Sequence, residues 1–285
     1  MSELSVENAN GEIRVIYETI EAALGVRLVN LVYRHLATVP GALEWAWYTV
    51  GEPFRAGVFA ERSKALLPVV DRPPRRRISL ISAELPLEEA RQVLATLDAY
   101  NRANPMNAVS LRVIALALEA GRPAAPLPVT PPSVTTPSHG DLPGLLPMGS
   151  LDSLDPDTMA LMHRLARLTS GRESKIVPSL FRHFAAWPSL LEQMADWMEE
   201  FAGGTIIDEQ AAHIFAMADR IACDIYAALP APGANAILPG PKTRRTLVET
   251  IEIFPPTICR MIVIAVLLRS ALSLDTEAHW KKDGE

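Results

Sequence analysis

Val177-Pro178-Ser179-Leu180-Phe181-Arg182-His183-Phe184-Ala185-Ala186-Trp187-Pro188 has an echo earlier in the chain, Val29-Asn30-Leu31-Val32-Tyr33-Arg34-His35-Leu36-Ala37-Thr38-Val39-Pro40. A shift of 148 positions lays Val29 on Val177 and Arg34-His35 on Arg182-His183. Ala37, Pro40, Leu43 and Glu44 then fall on Ala185, Pro188, Leu191 and Glu192, while Tyr33 meets Phe181 and Leu36 meets Phe184. A register kept through two helices and a proline reads as duplication, and the period is far too long for a solenoid. The expectation is an all-α protein of two homologous helical halves packed as a pseudo-dimer.

Working outward from the echo, apolar positions at helical spacing (Ile13, Ile16, Tyr17, Ile20, Ala23, Leu24) predict a first helix that stops at Gly25. Helices are further predicted over 28–38, from Pro40 toward Glu52-Pro53, over 60–69, from Pro86 through Tyr100, and from Asn104-Pro105 to Gly121. No clear strand signal occurs; Ile78-Ser79-Leu80-Ile81 is ambiguous. Prolines at 123, 126, 128, 131, 132, 137, 143, 147 and 156 mark a linker that is extended, partly mobile and without ladder bonding. The expected boundaries are 12–121 for the first repeat, 122–157 for the linker and 158–273 for the second repeat. In the second half a helix over 157–169 stops at Ser170-Gly171, and another runs from Pro188 to Phe201 before Gly203-Gly204. A long helix over 208–229 and two final ones over 243–252 and 255–272 follow. Phe254-Pro255 takes the place that Asn104-Pro105 holds in the first half, and the tail beyond Ser273 should fray.

The chain has 285 residues, 49% of them hydrophobic, and a net charge of −6 with both signs scattered. That balance gives no electrostatic reason to expect nucleic acid or an anionic membrane as partner. The basic cluster Arg72, Arg75, Arg76, Arg77 is broken by Pro73-Pro74 and reads as a solvated loop. Cys223 and Cys259 both read as small buried fillers, and two thiols without paired spacing make no metal framework. The acidic, polar N-terminus is unlike a signal peptide. The apolar run Ile258 to Leu272, bracketed by Arg260 and Arg269, reads as a buried central helix rather than a bilayer span. A cytoplasmic protein is expected. Phosphate loop, zinc-protease motif, nucleophile elbow and dinucleotide fingerprint are all missing. His35 and His183, each beside an arginine, read as surface or cap features, and Trp45, Trp47, Trp187 and Trp197 as packing residues. Glu192 and Asp196, four apart on one helix, permit a carboxylate pair but read first as a solvated face.

With Val29 to Pro40, Pro178 to Pro188 and the turn Tyr100-Asn101-Arg102-Ala103-Asn104-Pro105 in hand, the chain resembles the group I, DehI-type 2-haloacid dehalogenases over roughly residues 12–273. The resemblance implies an all-α homodimer and a cofactor-free hydrolase. In that reaction water displaces halide from the α-carbon of a small 2-haloalkanoic acid without a covalent ester. Such chemistry needs a carboxylate base, a polar side chain holding the water in line, and an apolar pocket, with backbone amides or helix N-termini for the substrate carboxylate. Carried over, Asn104 matches the water-orienting Asn and Ser179 the Ser before the catalytic base. Phe254 stands where a Tyr is found, Ile258 matches an apolar lining position, and Leu28 and Leu31 replace bulky aromatics. Leu180 occupies the position of the catalytic Asp, and hydrocarbon cannot accept a proton. Losing a general base forfeits on the order of 10²–10⁴ in rate. Three readings follow: a dehalogenase whose base comes from elsewhere, Glu192 or Asp196 being candidates; a protein that binds a small organic acid or apolar molecule without catalysis; or a different reaction on the same scaffold.

Overall fold

The computed structural model describes residues 2–67, 78–80, 83, 85–126, 144–174, 176–202, 206–232 and 236–279. The basic cluster at 72–77, linker residues 127–143 and Gly203-Gly204 lie outside them. The helices are α1 (Gly11–Leu24), α2 (Leu31–Leu36), α3 (Ala42–Arg55), α4 (Val58–Arg62), α5 (Leu87–Glu119), α6 (Pro156–Ser170), α7 (Ser179–Arg182), α8 (Pro188–Ala202), α9 (Ile206–Ala227) and α10 (Pro241–His279). Among the described residues there is no strand, and the fold is all-α. The first linker residues are nevertheless paired: Ala124 and Ile237 exchange backbone bonds of 2.9 and 2.8 Å, against the expectation of a segment free of ladder bonding.

Helix ends follow the local chemistry. Gly25 closes α1 at φ 70°, its N–H reaching the carbonyls of Glu21 and Ala22. A left-handed residue there is accessible to glycine without strain. Asp155 caps α6, its carboxylate accepting from the Asp157 and Thr158 amides at 3.0 and 2.9 Å and from the Thr158 hydroxyl at 2.7 Å, with Pro156 in the first turn. At the other end of α6, Arg260 donates Nε to the Thr169 carbonyl at 2.6 Å and pairs with Asp208, so a cation meets the negative end of that helix.

Two expected helix starts are interior positions. Asn104-Pro105 lies inside α5, and Pro255-Pro256 inside α10, each a single continuous helix. An interior proline removes one ladder bond and costs about 3 kcal/mol in an exposed helix. Both flanks here are buried: Ala103, Met106, Ala108 and Val109 around the first, Phe254, Ile258 and Cys259 around the second. Burial of apolar side chains on either side offsets the lost bond. By length and composition α10 could cross a membrane, with a window of mean hydropathy 2.0, yet 61% of that window is buried inside the protein.

The chain forms two compact units. The first comprises 1–66, 103–144 and 213–259; the second comprises 67–102, 145–212 and 260–285. Neither coincides with a sequence half, since the boundaries fall inside α5, α9 and α10. Taken along the chain, membership alternates first, second, first, and then second, first, second. The middle segment of each half thus belongs with the ends of the other. In the first unit α1 packs on α3 around Tyr17, Ile20, Tyr33, Trp45 and Phe59. In the second, α6 packs on α8 around Met162, Leu165, Phe181, Leu191 and Trp197.

Each unit also fastens an extended strap in the same way. In the first, Leu4 N–H donates to the Arg34 carbonyl at 3.0 Å, and His35 Nδ1 lies 2.9 Å from the Ser2 carbonyl. In the second, Gly149 N–H donates to the Arg182 carbonyl at 3.0 Å, and His183 Nδ1 lies 2.5 Å from the Leu146 carbonyl. The side chains join in, Arg34 pairing with Glu3 at 3.2 Å and Arg182 Nε donating to the Gly149 carbonyl at 3.0 Å. The repeated Arg-His dipeptide is therefore a strap fastener in both places.

Candidate functional site

The residues that open α2 and the middle of α5 come together in the first unit. Asn30 occupies the N-cap position of α2, but its side chain does not cap that helix. Instead its Nδ2 donates to Asn104 Oδ1 at 3.2 Å, from one buried amide to another. Leu28 is buried and Leu31 half-buried on either side of Asn30, so three of the expected site residues, Asn104, Leu28 and Leu31, share one neighbourhood. Because α5 is continuous, Asn104 is an interior helical residue and its amide is free for tertiary bonding.

Asn104 heads a polar row that sequence reasoning missed. Asn104, Asn107 and Ser110 recur at three-residue spacing on α5 and so lie along one side of it. Tyr33, one turn into α2, donates its hydroxyl to Asn107 Oδ1 at 3.2 Å and lies 3.1 Å from Ser110 Oγ. Ser110 returns a bond to the Asn107 carbonyl at 3.2 Å. Asn107, Ser110 and Tyr33 are completely buried. Burial pushes the Tyr33 phenol far above its usual range, so it stays protonated and neutral. The signal was present in Asn104-Pro105-Met106-Asn107-Ala108-Val109-Ser110: polar residues every third position within an apolar run.

Phe254 and Ile258 stand one turn apart on α10, both buried. The Phe254 ring centre is 6.4 Å from that of His35, which ties this part of α10 to α2. Ser179 and Leu180 open α7 in the second unit, where both are buried and Leu180 has no exposed surface. Next to them His183 meets the edge of Tyr100 at 5.7 Å between ring centres. Neither candidate base is poised for the role. Glu192 is exposed, and Asp196 is held by Arg164 at 2.7 Å, a guanidinium that also grips Glu199 and keeps the Glu199 carboxyl below its usual range. Among the described residues no three His, Cys, Asp or Glu side chains converge on one point. Cys259 is buried and its thiol is pushed up to about 12, chiefly by desolvation, whereas Cys223 is exposed, which corrects its reading as a core filler.

No family model and no curated protein matches the chain. Solved structures do. A D-2-haloacid dehalogenase mutant with D-2-CPA aligns at TM-score 0.69 and 18% identity, over 95% of this chain and 96% of that one. A D-2-haloacid dehalogenase with L-LA aligns at TM-score 0.70 and 17% identity, over the same shares of each chain. A further mutant of such an enzyme gives 0.65 and 17%, over 97% and 96%. The chain has the D-2-haloacid dehalogenase fold. At this identity the shared fold and the individual residues carry separate information, and Leu180 and the neutral row on α5 have to be weighed on their own chemistry.

Proposed function

We propose that this chain is a divergent relative of the 2-haloacid dehalogenases that binds a small organic molecule and lacks their hydrolytic step. The observation that carries the proposal is Leu180, fully buried at the position the resemblance assigns to the base. No substitute is at hand in Glu192, which is exposed, or in Asp196, which is bonded to Arg164. The ligand-binding part of the reading is supported by Asn104, held by Asn30 between Leu28 and Leu31, with Phe254 and Ile258 buried on α10. Descent of the two halves from one ancestral unit is part of the same proposal, supported by the matching strap fasteners. The deciding experiment is halide release from racemic 2-chloropropionate by folded protein. The expected result is no release above buffer. Release would instead favour the second reading, a dehalogenase with a relocated base, for which the retained, buried Asn104 is the motivating observation.

A further inference from the structure

The polar row of the first unit is not closed on itself. Asn30 Oδ1 and Asn107 Nδ2 are both buried, and neither has a hydrogen-bond partner. Folded proteins leave few buried polar atoms unpaired, because each forgoes its bond to water without replacement. Here one such acceptor and one such donor flank the same residue, Asn104: Asn30 bonds to it directly, and Asn107 follows it by three positions on α5. An amide can turn over and exchange its bonded end for its open one, yet each of the two asparagines still keeps one end unfilled.

We infer that Asn30, Asn104 and Asn107, braced by Tyr33 and Ser110, form a binding site for the carboxamide of a small uncharged ligand. The inference rests on the ligand-binding reading above and specifies the ligand class. With the amides oriented as they are, the amino group of a carboxamide can donate to Asn30 Oδ1 and its carbonyl can accept from Asn107 Nδ2. A carboxylate offers acceptors only and carries a charge. All five side chains of the row are neutral, and the nearby guanidinium of Arg34 is drawn to Glu3, so a carboxylate would lose water without a cation in the row to compensate. Leu28 and Leu31 beside Asn30 suit a short alkyl group on the amide.

The test compares propionamide with propionate by calorimetric titration and thermal shift on the intact protein, on Asn107→Leu and on Asn30→Leu. Propionamide should bind and raise the melting temperature with concentration, and propionate should not. Each variant should weaken propionamide by about tenfold or more, the loss of one well-made hydrogen bond. The Asn107→Leu protein gives up the Tyr33 bond to Asn107 Oδ1, so its circular dichroism and melting transition are recorded without ligand to establish that it is folded. Should one variant fail to fold, the other interrogates the opposite open end. Propionate binding alone would overturn the carboxamide assignment and leave ligand binding standing, as would propionamide binding that both variants retain. Failure of both compounds would overturn the two readings together and leave the open ends to buried water.

Discussion

Leu180 lies in the core of the second unit. It has no exposed surface, so an Asp in its place would be desolvated and its carboxyl pushed above the usual range. Leu180→Asp is expected to destabilise the protein by about 1–3 kcal/mol. The sign of its pH dependence follows from linkage. A carboxyl whose folded pKa lies above its unfolded value of about 3.9 binds more protons in the native state, so the deficit grows as pH rises from that value. Urea midpoints at pH 5 and pH 8 would read it, the larger loss being expected at pH 8. Halide release from the same sample would show whether a carboxylate at this position gives hydrolysis. In the unmodified protein the residue type at 180 could be read from the sequence, where the resemblance sets it against the family's Asp, but its complete burial could not. Nor could the Asn30–Asn104 contact, since 74 positions separate its partners.

At the level of helices and straps, glycine and aspartate carry the local information. An added Cβ at Gly149 would come within 3.0 Å of the Ala185 Cβ and 3.3 Å of the Arg182 carbonyl, both on short or rigid stems. Gly149→Ala should therefore lift the second strap and cost about 1–3 kcal/mol, whereas Gly144→Ala, with nothing within 4 Å, should leave the melting temperature unchanged. Asp155 caps α6, and its bonds to Thr158 hold its carboxyl below the usual range. A depressed carboxyl stabilises above its unfolded pKa and stops doing so as pH falls through its folded one. Asp155→Ala should thus lower the melting temperature at pH 7, with the difference from the parent closing below about pH 4. The stops at Gly25 and Gly171 were readable because a left-handed residue after a helix favours glycine. The continuity of α5 and α10 was not, because proline at a helix start and proline inside a buried helix look identical until burial on both flanks is known.

Across the whole molecule, the sequence halves and the compact units are different divisions of the chain. Helix order followed from periodicity, although α5 and α10 were each expected as two helices, and which segments cluster does not depend on order along the chain. Fragments 1–144 and 145–285 each contain pieces of both units and a complete set of neither. Separately they should give no cooperative thermal transition by circular dichroism; mixed in equal amounts they should recover one. The exchange of middle segments has a further consequence. Within one polypeptide each such segment finds its place in a first-order event, indifferent to dilution. At high protein concentration the same seat can be taken by the corresponding segment of a neighbour, since identical elements trade between copies at little energetic penalty. Interlocking that makes a single molecule self-sufficient also opens a route to linked oligomers whose abundance rises with concentration during refolding.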